Sequence, residues 1–127
     1  MAGSKLDGAG MAKMHTLEDA LGILQTLHGI VERMGLAVRA QQNTAMYGMQ
    51  VRRQGTPLVG MLKGQFGVIS DQVAQMLLVA TRGGSEQVKL RAMRESVAQI
   101  RTALEIQVTK VKEQHSTEVE LAPDAND

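Results

Sequence analysis

The chain has 127 residues, 43% of them hydrophobic and 21% charged, with thirteen Gly, nine Met, no Cys, no Trp and one each of Phe and Tyr. That is one domain's worth of protein, too apolar to remain disordered. The scarcity of rings argues against a deep ligand pocket or a base-stacking surface. Zero cysteines exclude disulfides, thiol catalysis and thiolate-bound zinc, and suit a cytoplasmic location.

Residues 1–15 carry Lys5, Asp7 and Lys13 among Gly and Ala and contain no apolar run of the signal-peptide kind. They read as a flexible leader preceding a helical domain over 16–115. From Thr16 onward Leu17, Leu21, Leu24, Leu27, Val31, Met34 and Val38 recur every three or four residues, one face of a helix. Thr16 followed by Asp19 resembles a capping box, which starts that helix near 17. Gln41, Gln42 and Asn43 break the stripe, and Pro57 disfavours helix at the residue before it. The first helix therefore spans 17–42, or runs to 54 and kinks.

A second stripe of Leu58, Met61, Leu62, Phe66, Ile69, Val73, Met76, Leu77 and Ala80 predicts a helix over 58–81, closed by Arg82-Gly83-Gly84-Ser85. This stretch is interrupted by Lys63, Asp71 and several Gln, so it falls short of the roughly 18 uncharged apolar residues of a membrane span. A third stripe from Leu90 through Met93, Val97, Ile100, Leu104, Val108 and Val111 predicts a helix over 86–114. Residues 116–127 are acidic and read as a disordered tail.

The fold class is all-α: an elongated antiparallel three-helix or four-helix bundle, or a helical hairpin that completes a bundle by oligomerisation. Leu78 and Val79 lie off the main stripe and suggest surplus apolar surface for a second subunit. Glycines within helices cost about 1 kcal/mol each relative to Ala. The spacings of Gly22 with Gly29, Gly60 with Gly67 and Gly60 with Gly64 are read as close-packing positions for a neighbouring helix.

No residue set supports catalysis. His28 with Glu32 at i+4 offers two ligands where a metal needs more. Ser70 beside Asp71 has no histidine placed as a base. The chain is read as non-enzymatic, with no cofactor and no metal. Most Met have core spacing, but Met46, Tyr47 and Met49, followed by Arg52 and Arg53, form a candidate adaptable contact patch. Residues 16–115 hold twelve Lys or Arg against eight Asp or Glu, a net of +4, while 116–127 carry −4. Arg82, Lys89, Arg91 and Arg94 gather near the Gly83-Gly84 turn as candidate polyanion or nucleic-acid contacts.

Thr56-Pro57-Leu58 and the apolar turn after it resemble the corresponding segment of the dimerisation and phosphotransfer hairpin of sensor histidine kinases. The positions matching the phosphoacceptor His and its acidic neighbour are Arg52 and Arg53 here. The resemblance therefore implies a dimeric docking hairpin without phosphotransfer activity. Together these observations point to a helical interaction, scaffold or adaptor module acting as a homo-oligomer, a dimer foremost. A polyanion binder is the second reading, and a degenerate phosphotransfer-like docking domain the third.

Overall fold

The computed structural model describes residues 6–115. Its elements are α1 (Gly8–Arg39), α2 (Ala45–Lys63), α3 (Gly67–Thr81) and α4 (Glu86–Gln114). The acidic segment 116–127, expected to be disordered, lies outside the described residues, as do residues 1–5 of the expected leader.

The first helix begins nine residues before its expected start. Asp7 is its cap, accepting a hydrogen bond from the Gly10 amide at 2.6 Å. Thr16 and Asp19 lie inside the helix, where the Thr16 hydroxyl donates to the Ala12 carbonyl. The stripe from Leu17 marks where the helix is most deeply buried, not where it begins. The leader expected over 1–15 is shortened accordingly, because Gly8 to His15 belong to α1.

The other end of α1 is a Schellman closure. The Gln42 amide donates to the Ala37 carbonyl at 2.8 Å and the Gln41 amide to Val38 at 3.1 Å. Gln41 takes φ 58° to allow this. That closure ends α1 at Arg39 and rules out a helix continuing to 54. Asn43 then accepts from the Ala45 amide at 2.9 Å, starting α2. The hydroxyl of Thr44, a buried residue, donates to the Glu86 carboxylate at the start of α4. This bond ties the first connection to the last helix.

Pro57 breaks nothing, since it sits within α2 with its ring exposed. The Thr56 hydroxyl donates to the Arg52 carbonyl at 2.7 Å just before it. Val51, Leu58 and Leu62 are fully buried on either side, so packing holds the helix through a residue that local preference would use as an end. The break falls instead at Gly64, Gln65 and Phe66, which divides the helix expected over 58–81. Phe66 is buried in the turn, its amide donating to Leu62 and its carbonyl accepting from Ser70. Apolar spacing continues across this turn, so periodicity alone does not register it. After α3 the turn proceeds as expected: Gly84 adopts φ 120° and Ser85 caps α4 through the Val88 amide.

Each helix packs on two others, in the ring order α1, α2, α3, α4 and back to α1. One chain thus supplies four helices around a shared core. That core holds Leu24 and Leu27 from α1, Val51 and Leu58 from α2, Val73 and Met76 from α3, and Met93 and Ile100 from α4. At about 1.5 Å per residue, α1 and α4 reach roughly 48 and 44 Å, against roughly 28 and 22 Å for α2 and α3. The long pair therefore outruns the short hairpin.

Close approach is made by glycines other than those expected. A Cβ on Gly48 would strike the Ala80 carbonyl oxygen, and one on Gly55 would lie 2.6 Å from a Leu77 methyl. Gly48 thus lets α2 meet the backbone of α3, and Gly55 makes room for the Leu77 side chain. Among the described residues, Gly22, Gly60, Gly64 and Gly67 have nothing within 4 Å of such a Cβ, and Gly29 meets only Arg33 of its own helix. Spacing by seven identified a shared face but not which face is packed.

Candidate interaction surface

The methionines divide by role. Met34, Met76 and Met93 are buried in the core, whereas Met46 and Met49, one turn apart on α2, are 54% and 61% exposed. Arg52 and Arg53 follow on the same helix, both exposed. Tyr47 departs from the expected patch, because it is half-buried and packs against the core. Its ring is an anchor for the start of α2 rather than a free contact. Thr56, Pro57 and Leu58, the residues that resemble the kinase hairpin, lie in mid-helix, with the two arginines pointing into solvent.

Below the Met pair, the outer seam of α2 and α3 forms an open groove of about 560 Å³. From α2 it is lined by Arg52, Thr56, Val59, Gly60 and Lys63, and from α3 by Ala74, Leu77, Leu78 and Thr81. Its walls are apolar or small, and a cation stands at each end on α2. Leu78 is 58% exposed there. Beneath the seam the Ser70 hydroxyl donates to the Val59 carbonyl at 2.8 Å, pinning α3 to α2. That bond gives Ser70 a structural role beside Asp71. Sequence reasoning missed the groove, although Leu78 lying off its stripe and Gly60 without an inward role both mark it.

The second set of cations is not brought together. Arg94 forms two hydrogen bonds with Glu32 of α1, at 3.1 and 3.3 Å, across Gly35. Lys89 and Arg91, two residues apart, project from nearly opposite sides of α4. Arg82 is exposed at the end of α3. Glu32, tied to Arg94, is also no free companion for His28.

On the outside of α4, Ala98, Gln99, Thr102, Ala103 and Ile106 line a shallow, mostly apolar depression, with Ile106 49% exposed. At the far pole, the ends of α1 and α4 are joined by polar contacts. The Asp7 amide donates to the His115 carbonyl at 3.0 Å. The Asp7 carboxylate lies 3.2 Å from His115 Nδ1, and Lys13 Nζ lies 3.2 Å from Nε2. The Gly10 amide holds the Asp7 carboxyl below its ordinary value against the opposing effect of desolvation, with lesser help from His115 and Lys13.

Among the described residues no group of three His, Cys, Asp or Glu is placed to hold a metal ion. No helix among them is long and apolar enough to cross a membrane. Compared with protein-family models, curated proteins and solved structures, the chain matches none of them.

Proposed function

We propose that this protein is a non-enzymatic helical interaction module, a scaffold or adaptor that acts as a homo-oligomer in the cytoplasm. The observation that carries this reading is the pair Met46 and Met49, exposed one turn apart on α2 while Met34, Met76 and Met93 fill the core. Unbranched, polarizable side chains held outside a packed bundle suit an adaptable protein contact. The neighbouring Arg52 and Arg53 supply charge at the rim of such a contact. The depression around Ile106 on α4 offers a separate apolar face for a second copy of the chain, and the absence of cysteine suits a reducing compartment.

Two measurements test the reading. Light scattering across a dilution series is expected to give a stable dimer that Ile106→Glu converts to monomer with unchanged helicity. A photoreactive side chain at position 49 is expected to form a discrete protein adduct in cells, and one at Gln87 is not. A monomer at every concentration refutes the oligomer, and adducts no richer at 49 than at 87 refute the contact patch.

A further inference from the structure

Three features of the α2–α3 seam converge on one kind of occupant. The first is charge. Residues 45–81 hold Arg52, Arg53 and Lys63 against a single acid, Asp71, which does not line the groove. Arg52 and Lys63 stand at its two ends, and among the described residues no carboxylate lines it. A symmetric pairing of two copies through this seam would bring cation against cation at each end, which disfavours self-association here.

The second feature is shape. Arg52 and Lys63 are eleven residues apart on one helix, close to three full turns and roughly 16 Å. Between them the walls are Val59, Leu77 and Leu78 with the small residues Thr56, Gly60, Ala74 and Thr81. That is the profile of a trough between two ridges, into which a third helix can lay an apolar stripe. The third feature is Gly60. Gly48 and Gly55 are accounted for by the approach of α3, but no described residue comes within 4 Å of a Cβ at Gly60. An exposed mid-helix glycine that weakens its own helix gains a purpose when it lets an incoming helix come close.

Resting on the interaction-module reading, we infer that the α2–α3 groove receives an acidic amphipathic helix of another protein. That helix carries an apolar stripe about three turns long and two carboxylates spaced i, i+11 that meet Arg52 and Lys63. The apolar stripe covers Leu78 and Val59, and the carboxylates fix its register along the seam.

The test uses the full chain and a synthetic probe. The probe is a capped helical peptide with two Glu at i and i+11 and three Leu between them on the same face. The control has the same composition, with Glu and Leu on opposite faces. Amide shifts of the protein during titration are expected to cluster over 52–63 and 74–81 for the probe and not for the control. Arg52→Glu with Lys63→Glu is expected to weaken probe binding at least tenfold, and raised salt to weaken it progressively. Gly60→Ala is expected to raise the melting temperature while weakening the probe several-fold, a split that a purely structural role for Gly60 does not produce. Equal binding of probe and control, shifts mapping elsewhere, or insensitivity to the double charge reversal overturns the inference. So does probe binding that emerges only after residues 116–127 are removed, which assigns the groove to the chain's own acidic segment. A dimer by light scattering with a strong adduct at position 49 but no probe binding leaves the interaction module standing and removes only this occupant.

Discussion

Alanine substitution at three glycines of α2 separates steric need from helix preference. Each change gains up to about 1 kcal/mol of helix propensity, so the sign of the outcome is set by what the new methyl group meets. At Gly48 it meets the Ala80 carbonyl oxygen, with the carbonyl carbon 3.4 Å away. Backbone cannot rotate aside as a side chain can, so α3 must move. With overpacking costs of about 1–3 kcal/mol and this obstacle at the upper end, Gly48→Ala is expected to lose a net 2 kcal/mol or so. At Gly55 the obstacle is a Leu77 methyl at 2.6 Å, with Leu27 at 3.6 Å. An off-rotamer leucine costs about 1 kcal/mol, so Gly55→Ala is expected to be nearly neutral. Gly60→Ala meets nothing and is expected to gain about 1 kcal/mol. At roughly 4 °C per kcal/mol for a domain of this size, thermal unfolding should place the three near −8, 0 and +4 °C from the parent. Urea midpoints should fall in the same order with unchanged slope. A Gly48→Ala protein at least as stable as the parent, or three equal shifts, would refute the claim that α2 and α3 meet through their backbones at Gly48.

Ser70→Ala removes the buried hydroxyl bond to the Val59 carbonyl and is expected to cost about 1 kcal/mol by urea unfolding; no loss means the bond does not pin α3. Gln41→Gly relieves a left-handed residue at the end of α1 and is expected to stabilise by about 1 kcal/mol, with a lowered melting temperature as the contrary result. Asp7 is bound in its ionised form, with its carboxyl held below its ordinary value of 3.8 by the Gly10 amide, His115 and Lys13. Its contribution is complete above the unfolded value and fades as pH falls through the lower folded one. The stability of the parent should therefore drop more steeply than that of Asp7→Asn below about pH 4. Identical acid limbs would count against the cap.

The helical class and the core were legible because Leu17, Leu24, Val73, Met93 and Ile100 repeat at the period that burial in a bundle imposes. Ser85 and Gly84 were legible for the local reason that few other residues perform their tasks. Element boundaries were not. Phe66 keeps the apolar rhythm while the backbone turns beneath it, and Pro57 is carried through α2 by packing on either side. Asp7 was overlooked because a cap is recognised next to a stripe, and the stripe starts ten residues later. The exposure of Met46, Met49, Arg52 and Arg53 was legible, but not that of Tyr47, whose burial depends on how the first connection folds back. Of the groove only Leu78, off its stripe, was visible in the sequence, since its walls meet only once Gly48 and Gly55 have set two helices side by side.

The 3.0 Å contact between the Asp7 amide and the His115 carbonyl means that the described chain enters and leaves at a single point. A body with adjoining ends can be stitched into a surface loop of a host polypeptide without prising the host open. The seam bearing Met49, Leu78 and Lys63 belongs to the two inner helices, whose own ends are not those at the stitch. Such an insertion would present that seam outward on a tether of two strands, carried by its host yet clear of it.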